Sequence, residues 1–404
     1  MKTNYASKAA LLAAAFICIP AAMPLTASAQ SAPDVAYNPP APAAIAPAPA
    51  PSKASVTAPA ASATLPPVAT VNPAPPGTPA TPAVVNPAPQ VPVKPIVFAT
   101  PKEVSSALAG TTRRAQAMSH IILGGSHHRP LMSYGGAPGA QNCLWATGDL
   151  ARSGNSANGG LAEIGVCRDF ADGALRAALG IGTVKQTQDL DNGGSSKLTG
   201  NHLVGELNYK APAGMVLSAV GVFADWDTDL KRGYASTTGA GYSIGTTGIK
   251  STSLRLRADW VDAWNIGHSA LSPYAAVITF RTRTGGYTET GGSAPGTFDG
   301  QRYSATEARL GIASTFALMG PCKVRASLEA AHRFNGNGPT VSGQVPGQFA
   351  FSETAATNKQ SWARAGLDLD LPLSQTVLLS FSVHAATKGD DPRVAGSVSL
   401  RAAF

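Results

Sequence analysis

The chain ends in Pro392-Arg393-Val394-Ala395-Gly396-Ser397-Val398-Ser399-Leu400-Arg401-Ala402-Ala403-Phe404, and the residues before it are best read outward from this end. Counted back from the terminus, Phe404, Ala402, Leu400, Val398, Gly396 and Val394 share one face of an extended chain. Ala403, Arg401, Ser399, Ser397, Ala395 and Arg393 share the other. Successive side chains of a strand point to opposite faces, so this pattern describes a strand with hydrocarbon on one side and water on the other. A soluble sandwich can use the same alternation. Length separates the two, because about ten alternating residues match a tilted strand crossing a bilayer, and the aromatic terminus falls at interface depth.

The same alternation recurs upstream. Leu254, Leu256, Ala258 and Trp260 oppose Arg255, Arg257 and Asp259, and Ala308, Leu310 and Ile312 oppose Glu307, Arg309 and Gly311. Val324, Ala326, Leu328 and Ala330 oppose Lys323, Arg325, Ser327 and Glu329, and Ala363, Ala365, Leu367 and Leu369 oppose Arg364, Gly366, Asp368 and Asp370. So many charges on one face do not suit a sandwich, where that face is sealed against a second sheet. They suit a wet lumen. The segments 216–224 and 272–280 are apolar on both faces, and their orientation stays open.

Twelve segments of strand character follow Asn142, joined by connections that alternate short and long. The short ones are 169–173, 210–214, 262–270, 318–321 and 372–375; the long ones, rich in Gly, Ser and Thr, include 186–200, 226–250, 284–302 and 335–358. Barrels of the bacterial outer membrane place short turns inside and long loops outside. Phe170, Tyr209, Trp260, Trp264, Phe316 and Phe404 fall near the short-turn ends, as an aromatic girdle does. The fold expected is an all-β membrane barrel of twelve antiparallel transmembrane strands with a lumenal N-terminal helix, preceded by a disordered Ala/Pro-rich arm.

Before the strands the chain divides into three pieces. Lys2 and Lys8 precede an apolar run from Ala9 to Ile19, and Ala27-Ser28-Ala29 offers a small-x-small cleavage site, so residues 1–29 read as a secretory signal peptide. Residues 30–99 are mostly Ala, Pro and Val, unable to build a core, and read as a disordered or semi-rigid arm. Residues 100–141 read as a helix and a return segment: Thr100 caps, Pro101 takes the first helical position, and Glu103 reaches back in a capping box. Its body, with Ser105, Thr111, Arg113 and Arg114, lacks a strong apolar stripe and is expected to sit in a polar lumen facing Glu163, Glu206, Glu307 and Glu329. Residues 142–404 form the barrel.

The formal charge of +8 is dispersed among acids along the strands, with no basic cluster that would suit nucleic acid. It reads as a lumen plus loops, with anionic lipopolysaccharide or host surfaces as neighbours. His127-His128 invites a metal reading, but adjacent residues do not share a face of a regular element and no Cys or carboxylate cluster lies beside them. Asp368 and Asp370 share a strand face and could pair catalytically, yet Arg364 offers an ordinary partner. No nucleophile elbow, phosphate-binding loop or H-E-x-x-H motif occurs where its mechanism requires it. No catalytic residue, metal or cofactor is expected. Cys143 and Cys167 lie symmetrically about position 155 in the first hairpin, both on the lumen face, so a disulfide between them is expected, with Cys322 left in a short turn. Two unpaired cysteines remain the alternative.

Leu271-Ser272-Pro273-Tyr274, Ala308-Arg309-Leu310-Gly311, Ala331-His332-Arg333-Phe334, Ala363-Arg364-Ala365-Gly366-Leu367 and the terminal strand occur in this order. Together they resemble the C-terminal translocator domain of monomeric autotransporters, over about 142–404. The resemblance implies a monomeric barrel in the Gram-negative outer membrane, a helix through its pore, and an N-terminal part exported outward, where a host or cell-surface ligand would meet it. It also implies that Phe404, Leu400 and Val398 form a signal read by the barrel-assembly machinery after periplasmic chaperones deliver the chain. Such proteins usually carry a large passenger, whereas only the Ala/Pro arm stands in that place here, and the helix has no Asn-Asn pair of the kind some members cleave. The alternative is a twelve-stranded pore or structural barrel whose arm stays in the periplasm.

Overall fold

The computed structural model describes residues 100–124, 141–154, 157–236, 239–334, 338–355, 361–387, 389 and 391–404. The expected signal peptide, the Ala/Pro arm, His127-His128 and residues 125–140 of the return segment lie outside the described residues.

Twelve antiparallel strands close into a barrel: β1 (Asn142–Arg152), β2 (Asn158–Phe170), β3 (Leu175–Asp189), β4 (Ser195–Lys210), β5 (Met215–Ser236), β6 (Gly239–Trp260), β7 (Ser269–Thr284), β8 (Gln301–Ala317), β9 (Lys323–Arg333), β10 (Ser361–Pro372), β11 (Val377–Ala386) and β12 (Val394–Ala403). Each pairs with the next, and β12 returns to β1 in register from Cys143↔Ala403 to Arg152↔Val394. Asn142 and Phe404 lock this seam with two backbone hydrogen bonds, each 2.9 Å. Around the wall of the barrel each strand pairs with a neighbour on both sides among the described residues, as a sheet surrounded by lipid requires.

Burial runs opposite to that of a soluble protein. On β12 the polar face of Ser397, Ser399 and Arg401 is buried, whereas Val394, Val398, Leu400 and the terminal Phe404 are exposed. Leu254, Leu256, Leu310, Leu328 and Leu367 are likewise exposed, while Arg255, Arg309, Glu329 and Asp368 are buried. Apolar side chains outside and charged ones inside describe a wall facing lipid. Phe170, Tyr209, Trp260, Trp264 and Phe404 are exposed at the short-turn ends, and Phe316 is half-buried there.

The long connections depart from the sequence reading in one place above all. Residues 226–250 were expected to be a loop, but β5 and β6 continue through them, paired from Asp225↔Lys250 out to Ser236↔Gly239. Their alternation persists, with Asp227, Asp229 and Lys231 outward and Thr228, Leu230, Arg232 and Tyr234 buried. Gly and Thr content suggested a loop, but β-branched and aromatic residues at period two made strand. Similarly, 186–200 narrows to a tight turn at 190–194 between β3 and β4. The connections after β7 and β9 fold back as four short strands, Tyr287–Thr288, Thr297–Phe298, Thr340–Val345 and Phe349–Thr354, which form a small sheet of their own.

One helix, α1 (Pro101–Gly124), occupies the barrel. Its capping box is complete: the Glu103 N–H donates to Thr100 Oγ1 at 3.3 Å, and the Thr100 N–H donates to Glu103 Oε2 at 2.9 Å. Two expectations about it fail. It does carry an apolar stripe, and the lumen is not polar throughout. Ala115, Met118, Ile121, Ile122 and Leu123 pack against a belt that includes Val204, Val220, Val222, Trp226, Ile278 and Phe280. The segments that were apolar on both faces supply much of this belt. Val216, Val220 and Val222 point inward with Leu217 and Phe223 outward, and Tyr274, Ile278 and Phe280 point inward with Val277 outward. Both faces are apolar because one meets lipid and the other meets the helix.

Candidate functional site

The helix enters the barrel from the long-connection end. Val104, Leu108 and Ala109 pack with Leu230, Phe298, Val341 and Phe351 of the extended strands and the small sheet. At the other extreme, Arg255 of β6 donates to the Leu123 carbonyl, and Arg364 Nη2 of β10 donates to the Gly124 carbonyl at 3.1 Å. The last carbonyls of a helix have no partner within it, and its C-terminus carries partial negative charge. Arginines of the wall, Arg255 buried and Arg364 half-buried, satisfy both needs. β1 begins at Asn142, beside Phe404 at the short-turn end, so α1 runs from the long-connection side towards the short-turn side.

Polar contacts hold the helix in register between its ends. Thr112 Oγ1 donates to Gln301 Oε1 at 3.0 Å and lies 3.1 Å from Thr284 Oγ1, and Ser119 Oγ lies 3.1 Å from Ser251 Oγ. Arg114 donates to Gln188 and to Thr111, and Arg113 lies by Gly338 at the mouth. The mouth contains a cavity of about 800 Å³ between the first turns of the helix and the wall. A second cavity, of about 40 Å³, lies beside the last turns of the helix, lined by Gly124, Arg255, Arg257, Arg325 and Arg364 among others.

A charge cluster joins helix, wall and loop at mid-height. Asp391, in the connection between β11 and β12, accepts from Trp362 Nε1 at 2.6 Å and sits 3.0 Å from Arg309 Nη1 and 3.3 Å from His120 Nδ1 of the helix. Arg309 also donates to Glu307 and Glu329, each at 2.9 Å, and Arg333 donates to Glu307 at 2.8 Å. His120 stacks 4.4 Å from the Phe280 ring and lies 3.5 Å from Glu307. Buried charges are costly unless each is paired and hydrogen-bonded, and here one side chain from the helix completes a set drawn from three strands and a loop. Gly389, at φ +107, lets this loop close over the Trp362 ring, where a Cβ would collide.

Four glutamates were expected to receive the helix, but the structure distributes them differently. Glu307 meets His120. Glu163 is held instead by Trp145 at 3.0 Å and His202 at 2.9 Å, Glu206 by Asn208 at 2.7 Å, and Glu329 by Arg309. Arg113 and Arg114 stand too near the mouth to reach them. His120 was missed because a lone histidine in a helix carries no periodic signal. Cys143 and Cys167 face each other across β1 and β2 and form a disulfide, with Cα atoms 4.9 Å apart, and Cys322 is buried in the turn before β9. Asp368 pairs with Arg325 at 3.5 Å, and Asp370 accepts from Ser380 at 2.6 Å.

Strands, helix and polar contacts together make a closed twelve-stranded barrel with a helix fixed along its lumen. The sequence profile of the Autotransporter beta-domain matches residues 144–384. The chain belongs to this family. Autotransporter β-domains are translocators in the Gram-negative outer membrane, which assigns this barrel its place and a role in transport rather than catalysis. Among solved structures, the translocator domain of the autotransporter NalP from Neisseria meningitidis is similar in fold, with TM-score 0.57 at 12% identity over 76% of this chain and 100% of that one. The β-domain of the Bordetella autotransporter Brka matches at TM-score 0.43 and 17% identity, covering 66% of this chain and 99% of that one. The transport unit of AIDA-I from Escherichia coli matches at TM-score 0.41 and 10% identity, covering 76% and 100%. No curated protein gives a match to the sequence.

Proposed function

We propose that this autotransporter exports its own Pro-rich N-terminal segment and displays it at the cell surface. The observation that carries the reading is the direction of α1: Thr100 lies among the long connections, and Gly124 lies deeper in the lumen, towards the short turns. The residues before Thr100 therefore leave from the long-connection side, which in outer-membrane barrels faces outward. The chain works as a monomer, and with a helix fixed along the lumen the arm, rather than the pore, meets the surroundings, including any host ligand. Delivery by periplasmic chaperones and insertion by the barrel-assembly machinery complete the route, with Phe404, Leu400 and Val398 as the signal read at the end.

An epitope inserted near Ala60 tests this. Antibody binding on intact cells, and loss of the epitope to external protease while the barrel survives, is the expected result. An epitope reached only after the outer membrane is permeabilised overturns display and places the arm in the periplasm.

A further inference from the structure

The outer wall carries a cationic row, on the opposite face from the lumen. Lys250 on β6, Arg283 on β7 and Arg302 on β8 are direct cross-strand neighbours, in the pairs Lys250↔Arg283 and Arg283↔Arg302. Arg281 lies one step nearer the short turns, opposite Thr252 and Ser304. All four side chains are exposed. Their sequence neighbours Ser251, Thr284 and Gln301 hydrogen-bond to Ser119 or Thr112 of the helix, so the cations necessarily point the other way, out of the barrel.

Their height on the wall is equally defined. Below them on the same faces come Leu254 and Leu256, Val277, and Leu310 and Ile312, all exposed and apolar. From Trp260, in the short-turn girdle, ten residues of β6 lead back to Lys250, a rise of ~25 Å at the usual strand tilt, the height of the apolar band of such barrels. The row thus stands where hydrocarbon gives way to headgroups in the outer leaflet. Like charges placed directly opposite in a sheet repel, and the nearby acids on β5 are Asp225, 3.5 Å from Lys250, and Asp227. Three adjacent strands therefore hold an excess of positive charge at one level, with two guanidinium forks shaped for phosphate oxygens.

We propose that Lys250, Arg281, Arg283 and Arg302 form a binding site for the phosphates of lipopolysaccharide on the outside of the barrel. The glycolipid's acyl chains lie along the leucine and valine faces below, and its phosphates neutralise the row. The site concerns the wall alone and holds whether or not the arm is displayed.

The test uses the full chain in detergent and lipid A bearing its phosphates. The triple variant Lys250→Gln, Arg283→Gln, Arg302→Gln should bind about 100-fold more weakly, the change expected from three lost surface cations. A control variant, Lys185→Gln with Lys197→Gln, should bind as the wild type does, and removing the phosphates from lipid A should abolish the difference between wild type and triple variant. Heat-modifiable migration verifies folding; if the triple variant fails it, Arg283→Gln alone should bind about fivefold more weakly. Wild-type affinity in the variants, an equal loss in the control, or inorganic phosphate binding as tightly as lipid A overturns the proposal.

Discussion

Arg364 Nη2 donates to the carbonyl of Gly124 at 3.1 Å, so the inner end of the helix is closed by a cation fixed to the barrel wall rather than by a residue of its own. Arg255 does the same for Leu123. Sealing a helix end inside a narrow barrel needs such groups, because a buried carbonyl without a donor costs about 1–3 kcal/mol.

The double variant Arg255→Gln, Arg364→Gln should therefore keep a folded barrel but loosen the last turns of α1. Amide exchange over residues 119–124 should accelerate by roughly 10-fold or more, and single-channel recordings should show more frequent openings than the wild type does. Unchanged exchange would mean that the apolar belt alone holds the helix.

Much of this architecture was legible in the sequence, for a physical reason. A strand between water and lipid must alternate, so β6, β8, β9, β10 and β12 declared both their existence and their orientation. The capping box of α1 is local and was equally readable. What could not be read is contact within the lumen. Alternation says that Glu163, Glu206, Glu307 and Glu329 point inward but not what each meets, and His120 finds Arg309 across 189 residues of chain. The apolar belt was hidden by the same logic, since a strand between lipid and a helix has no polar face to mark it.

The disulfide offers a second check. Cys143 and Cys167 are separated by 24 residues, and in the chain-entropy view closing such a loop restricts the unfolded chain by about 3 kcal/mol. Non-reducing peptide mapping should recover these two cysteines linked and Cys322 in a separate peptide. Cys143→Ser with Cys167→Ser should lower the denaturant midpoint. A link involving Cys322 would contradict this pairing.

Gly311 is a sharper probe of the wall. The Tyr274 ring, on the adjacent strand and directly opposite in register, lies across the place where a Cβ would stand. The same ring stacks under the Arg257 guanidinium, 3.8 Å from its centroid. Gly311→Ala should displace the ring and destabilise the barrel by about 1–3 kcal/mol, as overpacking does. Combining it with Tyr274→Ala should recover most of the loss. If the single variant unfolds at the wild-type midpoint, the ring has room to move and the glycine is not required.

The seam between the first and last strands carries the final prediction. Phe404 is 64% exposed, facing outward beyond the end of β12, while its backbone exchanges two hydrogen bonds with Asn142. Deleting it removes both an interfacial aromatic anchor and the last rung joining β12 to β1. Because the backbone loss falls at the end of a ten-residue ladder, from Cys143↔Ala403 to Arg152↔Val394, most of the seam would survive once formed. The defect should therefore appear in assembly more than in stability. Cells producing the deletion should show less protein in the outer membrane and less heat-modifiable band, whereas the fraction that does insert should unfold near the wild-type midpoint. Phe404→Tyr should restore assembly, since it keeps an aromatic at the interface. Normal outer-membrane levels of the deletion would show that recognition does not depend on the terminal aromatic, and normal levels with a lowered midpoint would assign Phe404 to the seam alone.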